Sequence, residues 1–385
     1  RLKWSGTLTL LWNLQKTTKM ARKLKSDKPL FLATMALLFS SLVMVYSASA
    51  AIAMDRFSQP YYFLFRQMTW VALGGCVLAF VMRIDYRLLR KPFIVLTLLS
   101  VTFLMLIAVL FGPPINGTRR WFGIAGFGIQ PSEFAKIAVI IFTAAILERR
   151  MDRVNELSYS LLPIGLVTGG IAGLVLLGPD FSTAFTMFVI VGAIVFSAGL
   201  SYRYLIGLTL VSIPAIYFVI ATSNYRRRRF LGFLDPWADP LGDGYQIMQS
   251  LIAVGTGGLF GKGLMGGVQK LFYLPEPHTD FIYAVIAEET GLVGATLVLL
   301  CFVMIIWRGL RVTLRAPDRF GAFLAIGITT MVASQAFMNI SVVLGLMPTT
   351  GLPLPFLSSG GSSLLVSSIA MGVLLNISQH ASVET

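Results

Sequence analysis

One stretch of the chain combines the residue types that general acid–base chemistry needs. Residues 271–289, LFYLPEPHTDFIYAVIAEE, carry Asp280, Glu288, Glu289 and His278, which is one of only two histidines in the sequence. A long apolar run follows, and carboxylates are costly near lipid, so a cluster in this position indicates a functional site. A carboxylate held beside a cavity can accept a proton from a hydroxyl nucleophile as a general base.

Two further groups of ionisable residues accompany apolar runs. QPSEFAK, residues 130–136, contains Glu133 and Lys136, which lie one helical turn apart and can form an ordinary ion pair. Asp180 in GPDFST can simply cap the start of a helix. Taken one at a time, the ion pair and the helix cap are each sufficient explanations of these residues. Because these groups and Asp280 all fall at the same end of their apolar runs, we expect them to lie at one depth and to contribute to one site.

Composition indicates a membrane protein. The chain has 385 residues, of which 56% are hydrophobic and only 12% charged, and its mean hydropathy is +0.78. Repeated apolar runs of about 20 residues are typical of transmembrane helices. The net charge of +14 falls in short loops between these runs, which argues against a nucleic-acid partner. Cys76 and Cys301 lie inside apolar runs, and two histidines are too few for a zinc site.

The apolar runs predict an all-α polytopic membrane protein with ten transmembrane helices. Most Lys and Arg residues fall in alternate connections, and the positive-inside rule places those connections and both termini in the cytoplasm. We therefore predict a basic cytoplasmic tail (1–29), a ten-helix domain (30–378) and a short cytoplasmic tail (379–385). The predicted spans are 30–54, 61–82, 93–112, 132–147, 161–178, 181–199, 203–222, 281–307, 320–346 and 362–378.

The connection between spans seven and eight, residues 223–280, is long enough to predict a functional loop on the outer side. In its segment YQIMQSLIAVG, a helical projection places apolar side chains on one face and polar ones on the other. The helix either packs on the bundle or lies in the membrane interface. The following GTGGLFGKGLMGG lacks the Gly-Lys-Ser/Thr ending of a phosphate loop, so we reject a nucleotide site. The apolar face is predicted from Ile247, Met248, Leu251 and Ile252, and the polar face from Gln246, Gln249 and Ser250.

Span eight is longer than a bilayer requires. Asp280 to Trp307 measures roughly 40 Å as a helix, whereas a hydrocarbon core is roughly 30 Å thick. We therefore predict one extended helix whose first two turns hold Glu288 and Glu289 at headgroup height. Asp280 would face an outer cavity roofed by cations. Those cations are predicted to be the four arginines 226–229, Lys262 and Lys270.

Five motifs resemble those of the SEDS family, the shape, elongation, division and sporulation proteins. They are NGTRRWF (116–122), QPSEFAK (130–136), GYQIMQSLIAVGTGGLFGKGL (244–264), QKLFYLPEPHTDFIYAVIAEE (269–289) and MPTTGLPLPFLSSGGSS (347–363). Their order is that of the family, and the resemblance covers about residues 30–378. Details of the fourth and fifth motifs are more similar to the division branch than to the elongation branch. The chain departs from the family pattern at Ser359, at Thr290 and in GPDFST.

The resemblance implies a peptidoglycan glycosyltransferase that polymerises lipid II at the outer leaflet of the bacterial inner membrane, for septal wall synthesis. It also implies a class B penicillin-binding protein as partner, beside other membrane proteins of the divisome. No cofactor is certain; a divalent cation, Mg²⁺ or Mn²⁺, is an alternative to protein cations at the leaving pyrophosphate. The implied catalytic carboxylate is Asp280, and the implied substrate-binding residues are Lys136, Glu133, Arg119, Arg120, His278, Glu276, Gln246, Gln249, Ser250, Ser358 and Ser362.

Other functions fit part of the sequence. A lipid II flippase would also have many spans and a cationic cavity, but a transporter is expected to place ionisable groups near the bilayer midplane. The predicted spans keep those groups in the outer half, which favours an enzyme. A scaffold for division proteins would have no need of Asp280, and an elongation polymerase would share the chemistry in another cellular role.

Overall fold

The computed structural model describes residues 26–115, 117–124 and 127–381. Most of the predicted N-terminal tail and the last four residues of the predicted C-terminal tail lie outside these ranges. Within them the chain is almost entirely helical, and one short antiparallel hairpin pairs β1 (Phe122–Ile124) with β2 (Phe127–Ile129). The prediction of an all-α membrane protein is confirmed, with this hairpin as the exception.

Twelve α-helices, with three short helical turns at Tyr86–Arg90, Met151–Arg153 and Leu157–Leu161, make up most of the described part of the chain. Several begin where the sequence supplies a start signal: Asp27 caps the first helix through a bond to the amide of Leu30, and Asp180 caps the sixth through Thr183. They are α1 (Lys28–Phe57), α2 (Tyr62–Val81), α3 (Pro92–Leu110), α4 (Pro131–Arg150), α5 (Leu162–Leu177), α6 (Phe181–Ser197), α7 (Tyr202–Ala221), α8 (Asn224–Leu234), α9 (Tyr245–Gly257), α10 (Ile282–Arg315), α11 (Arg319–Val343) and α12 (Gly361–His380).

Seven helical segments in the described ranges are long and apolar enough to cross a bilayer. α6 is apolar but has only 17 residues, and α4 carries charged residues at both ends. The count of ten spans therefore stays a prediction. The seven segments are α1, α2, α3, α5 together with the turn before it (Leu157–Leu177), α10, α11 and α12.

α11 and α12 form the centre of the bundle. α11 packs against α10 and α6, while α12 packs against α2. The last contact is close because of a glycine: a Cβ on Gly74 of α2 would lie 2.7 Å from Leu364 Cδ2 of α12. The two central helices are buried over most of their length, so the loops at their ends are fixed in position.

α10 is not the straight extended helix that its length predicts. Gly291 has φ 67° and ψ −165°, which breaks the helix after its first two turns. Only glycine adopts this conformation readily, and a Cβ there would lie 2.4 Å from the amide nitrogen of Gly261. The first nine residues of α10 are thus a separate short helix, and Asp280 lies before it rather than at the tip of a rigid span.

α9 packs on the bundle, as one of the two predicted arrangements has it, but through a different face from the predicted one. Ser250, predicted on the exposed polar face, is buried and donates a hydrogen bond of 2.8 Å to the carbonyl of Val343, whereas Leu251 and Ile252 are exposed. The apolar pattern predicted the wrong buried face because the small side chains of this helix allow the closest approach to the bundle. The buried stripe consists of Ile247, Ser250, Ala253 and Gly257.

The opposite end of α10 carries a saturated polar cluster around Asp318. This carboxylate accepts hydrogen bonds from the Tyr86 hydroxyl (2.5 Å), the Arg87 Nε (3.0 Å) and the amide of Gly321 (2.7 Å). Burial alone would raise the pKa of Asp318, but these hydrogen bonds outweigh it and lower the pKa below its usual value. The cluster joins the α2–α3 connection to the start of α11.

Candidate functional site

Asp280 lies in the turn before α10 with its carboxylate unbonded. No hydrogen bond or ion pair to this carboxylate is found within the described ranges. The side chain is surrounded by protein on most sides yet keeps a partly exposed surface. Gly351 faces it, since a Cβ at that position would lie 3.7 Å from Asp280 Oδ2 with no other atom near. A small group can therefore approach the carboxylate from the side of Gly351.

The surroundings of Asp280 raise its pKa to about 7. Burial is the largest cause, and the negative charges of Glu276 and Asp180 act in the same direction, while Arg120 and Arg229 oppose them. A carboxylate with this pKa is half ionised at neutral pH and is a stronger base than an ordinary Asp. Asp280 therefore has the protonation behaviour that a general base requires.

His278 and Glu276 precede Asp280 in the same turn. The His278 ring is buried and packs on Phe63 at a centroid distance of 4.7 Å, and its Nδ1 has no hydrogen-bond partner. Burial lowers the pKa of the imidazole, against the opposing charge of Glu276. Glu276 is exposed and accepts a hydrogen bond of 3.3 Å from the Thr279 hydroxyl. His278 thus lies inside the wall of the site, while Glu276 lies at its rim.

Arg120 and Asp180 form a second polar group near Asp280. Asp180 is buried and accepts hydrogen bonds from the Gln130 side chain (2.8 Å) and the Ser132 hydroxyl (3.3 Å). It therefore has the capping role that its sequence predicts, with further bonds beside the cap. Arg120 Nε is buried without a hydrogen-bond partner, whereas Arg119 is exposed and donates to the carbonyl of Leu110. Arg120 keeps donor capacity for an anionic ligand.

Lys136 and Glu133 form a fully buried ion pair in the first turns of α4. Lys136 Nζ lies 2.8 Å from Glu133 Oε1, neither side chain is exposed, and Glu133 Oε2 has no partner. Ser362, another predicted ligand, is buried close to the start of this helix and accepts a hydrogen bond from the amide of Gln130. In this conformation none of the three side chains is open to a ligand from solvent.

Glu288 and Glu289 are buried anchors for the glycine-rich segment, a role that the sequence did not predict. Glu288 accepts hydrogen bonds from Lys262 (2.8 Å) and the amide of Val268, and Glu289 from Lys270 (2.5 Å) and Ser47 of α1. Both acids are buried within the protein, and their predicted position at headgroup height stays a prediction. Lys262 and Lys270 do not roof Asp280, because they are engaged here. The sequence did contain one signal for this anchoring role. Two consecutive acids accompany a glycine-rich stretch that contains one lysine, and a second lysine follows that stretch.

The remaining predicted ligands make no hydrogen bond to the Asp280 carboxylate within the described residues. Gln246 and Gln249 are partly exposed on α9. The Ser250 hydroxyl donates its hydrogen bond to the carbonyl of Val343, and Ser358 is buried with its hydroxyl bonded to the backbone. The structure thus brings together Asp280, Glu276, His278, Arg120 and Asp180, and it adds Arg229, which the motifs did not single out among the four arginines 226–229.

No group of three or more His, Cys, Asp or Glu side chains suited to a metal ion occurs in the described ranges. A resident metal held by the protein alone does not fit this donor set. A Mg²⁺ ion usually keeps water ligands and binds one or two carboxylates together with substrate phosphates. The divalent cation therefore stays a prediction that depends on the substrate.

An apolar cavity of about 380 Å³ opens between α3 and α5. Farther along the same two helices a small separate recess is lined by Arg119, Arg120, Ser132 and Asp180 beside apolar side chains. An apolar trough and a recess with two arginines therefore follow one another along α3 and α5. The trough is lined by Leu99, Ser100, Phe103, Leu166, Val167, Gly170 and Ile171.

Comparisons with known proteins agree over almost the whole chain. The family model described as "Cell cycle protein", labelled for FtsW, RodA and SpoVE, matches residues 28–383. The chain is 44% identical over 354 residues to a Geobacter sulfurreducens protein named probable peptidoglycan glycosyltransferase FtsW, covering 91% of this chain and 95% of that one. It is 42% identical over 364 residues to stage V sporulation protein E of Bacillus subtilis, covering 94% and 99%.

Solved structures share the helical arrangement. A chain from the study "Structural coordination of polymerization and crosslinking by a peptidoglycan synthase complex" matches with a TM-score of 0.75 and 32% identity, covering 92% of this chain and 97% of that one. The rod shape determining protein RodA of Thermus thermophilus matches with a TM-score of 0.69 and 28% identity, covering 93% and 98%. These proteins therefore have a fold similar to that of this chain along nearly its full length.

Proposed function

Since the chain belongs to the FtsW, RodA and SpoVE family of cell cycle proteins, we propose that it polymerises lipid II with Asp280 as the general base. The SEDS resemblance of the five motifs is confirmed, and the chain is a peptidoglycan glycosyltransferase. The observation that carries the role of Asp280 is its unbonded carboxylate, whose pKa is raised to about 7.

The proposed reaction extends a glycan strand by one disaccharide. The 4-hydroxyl of the acceptor GlcNAc attacks the anomeric carbon of the donor MurNAc, and the bond from that carbon to the pyrophosphate breaks. The hydroxyl proton passes to Asp280, and the electron pair of the broken bond leaves with undecaprenyl pyrophosphate. A sugar hydroxyl is a weak nucleophile at neutral pH, so this proton transfer is where a carboxylate lowers the barrier.

Arg120 and Arg229 are the proposed source of positive charge for the leaving pyrophosphate. The charges of both lower the pKa of Asp280, which supports a place for them near the reacting atoms. Arg120 retains an unbonded buried Nε. Preorganised cations aimed at developing negative charge are among the strongest contributions to catalysis. Arg119, at the exposed rim, would add to the field, and a divalent cation bound with the substrate would act in the same way.

The groove between α3 and α5 is the proposed place for one polyprenyl tail. Its trough is apolar and its upper end carries Arg119 and Arg120, so it complements a lipid with an anionic head. A tail in this groove would keep the sugars at headgroup height, beside Asp280. Gln246, Gln249, Glu276 and His278 are then proposed to contact the sugar and peptide parts of the substrate.

Asp280 and residues 223–280 are proposed to face the outer side of the inner membrane, with both termini in the cytoplasm, because the Lys and Arg distribution favours this orientation. An Asp243→Cys variant tests it with a membrane-impermeant thiol reagent, in a background without Cys76 and Cys301. We expect labelling from the outer side of intact cells. Protection there, with labelling only after the membrane is opened, would reverse the topology.

A division role with a class B penicillin-binding protein is proposed from the named relatives. The Geobacter sulfurreducens relative is named FtsW at 44% identity, whereas RodA of Thermus thermophilus shares 28%. A matched solved chain comes from a peptidoglycan synthase complex. We therefore place the chain at the septum, with a transpeptidase partner and other divisome membrane proteins.

The proposal is tested by incubating the purified protein, co-purified with its transpeptidase partner, with lipid II. The wild type is expected to form glycan polymer, and Asp280→Asn to fall by about 10²–10⁴-fold. Asp243→Asn is the matched control, since it neutralises an exposed carboxylate of the same loop and should keep full activity. Near wild-type polymerisation by Asp280→Asn would refute the base assignment. Movement of lipid II between leaflets without polymer would favour a flippase.

A further inference from the structure

Three successive backbone carbonyls of the Asp280 turn are held by one neighbouring part of the chain. The amide of Ser359 donates to the carbonyl of His278 at 2.9 Å, and the Ser358 hydroxyl donates to that of Thr279 at 2.5 Å. Nδ2 of Asn339, on α11, donates to the carbonyl of Asp280 at 2.8 Å. The backbone that carries the proposed base is therefore fixed at three consecutive peptide groups.

Two of these donors also hold the segment between α11 and α12. Asn339 Nδ2 donates to the carbonyl of Leu352 at 2.9 Å, and the Ser358 hydroxyl accepts the amide of Leu354 at 2.8 Å. Asn339 and Ser358 are only 2% and 3% exposed, so their bonds are shielded from competing water. Each side chain therefore joins the Asp280 turn to the segment that contains Gly351, the residue facing the carboxylate.

This arrangement fixes the position of Asp280 without bonding its carboxylate. A hydrogen bond donated to the carboxylate itself would stabilise the charged form and lower its basicity. Bonds to the backbone carbonyls avoid that effect and still restrict where the side chain begins. Asp318 shows the alternative, since its carboxylate is bonded directly and its pKa is lowered.

We propose that Asn339 and Ser358 are positioning residues for the glycosyl transfer, acting through the backbone of residues 279–280 to aim the Asp280 carboxylate. The proposal rests on the proposed function. It gives the MPTTGLPLPFLSSGG stretch a defined role as the template on which the base is held. Displacing a catalytic group by about 1 Å costs up to about 10²-fold in rate.

The test measures kcat and KM for lipid II with Asn339→Ala and Ser358→Ala, each purified with the transpeptidase partner. We expect kcat to fall by about 10–100-fold while KM changes by less than about threefold, because the base moves and the lipid contacts do not. We also expect the midpoint of the pH profile of kcat to shift in both variants, because a displaced carboxylate changes its burial and its distance from the surrounding charges. Ser358→Ala removes a single oxygen, so it decides the question if Asn339→Ala fails to fold.

Asn376→Ala is the matched control. Asn376 is also a buried asparagine that bridges two chain segments, accepting the amide of Tyr86 and donating to the carbonyl of Met82, at the other end of the bundle. It should leave kcat and the pH midpoint unchanged. The proposal is overturned if folded Ser358→Ala keeps wild-type kcat, or if Asn376→Ala lowers kcat as much. A wild type that makes no polymer would instead refute the proposed function.

Discussion

The two ends of α10 each carry an aspartate next to a helix start, and their environments are opposite. Asp280 has no partner on its carboxylate within the described ranges and a pKa raised to about 7. Asp318 accepts three hydrogen bonds and has a lowered pKa. A saturated carboxylate contributes to the fold, whereas an unsaturated, partly shielded one is costly to the fold and available for chemistry. The number of hydrogen bonds that each carboxylate accepts, more than its position in sequence, distinguishes the structural role of Asp318 from the proposed catalytic role of Asp280.

The largest expected effect is that substitution of Asp280 lowers activity but not stability, whereas substitution of Asp318 lowers stability but not activity. Asp280→Asn should abolish polymerisation without destabilising the protein, because the carboxylate it removes is unbonded and partly desolvated. Asp318→Asn should keep kcat but lose roughly 1.5–3 kcal/mol of folding stability, because it loses charged hydrogen bonds. Thermal unfolding in detergent and lipid II polymerisation, measured on both variants, check this. Stability lost at Asp280, or activity lost at Asp318 with the fold intact, would break the comparison.

Glu289 offers the next test, because it lies at the Asp280 end of α10 but has the saturated environment of Asp318. Glu289→Gln leaves Lys270 buried without its counter-ion, so we expect a loss of roughly 3–5 kcal/mol in unfolding free energy. The control is Glu148→Gln, which breaks the exposed pair with Arg90 and should cost about 0–1 kcal/mol. Denaturant titration of both variants gives the difference. Equal, small losses would mean that Glu289 does not anchor the loop.

The Lys136–Glu133 pair tests whether a fully buried pair can also serve catalysis. Lys136→Met alone leaves an unpaired buried carboxylate and should destabilise the protein. Adding Glu133→Leu removes both charges and should restore stability. If Lys136 also binds the pyrophosphate, polymerisation by the double variant should stay roughly 10²-fold low. Full activity in the stable double variant would leave the pair with a structural role alone.

The sequence was sufficient to single out the proposed base and the signals for its orientation, but not the local geometry around it. Hydrophobic runs, the five motifs and the capping role of Asp180 were readable because each depends on neighbours in sequence. The anchoring roles of Glu288 and Glu289 were harder to predict, since their partners Lys262 and Lys270 lie 26 and 19 residues away in sequence and the helix breaks at Gly291. A helix length predicted from apolar residues assumes that the helix is continuous.

Hydrogen bonds over long sequence separations also lay beyond what the sequence predicts. The ligand roles of Ser250 and Ser358 come from the family resemblance and stay predictions. In the structure their hydroxyls bond the backbone of residues 93 and 79 positions away. No periodicity signals such a pairing, whereas the closeness of Asp280 to His278 and Glu276 followed from adjacency alone.

The pH dependence of kcat/KM for lipid II tests the central claim most directly. A base with a raised pKa is protonated and inactive at low pH, so activity should rise as pH increases and level off above the pKa. For the wild type we expect a midpoint near 7, set by Asp280, and for Asp280→Asn a flat profile near background. Asp318 should give no such midpoint, since its pKa is lowered. A wild-type profile that shows no rise between about pH 5.5 and 8.5 would contradict the assignment of Asp280 as the base.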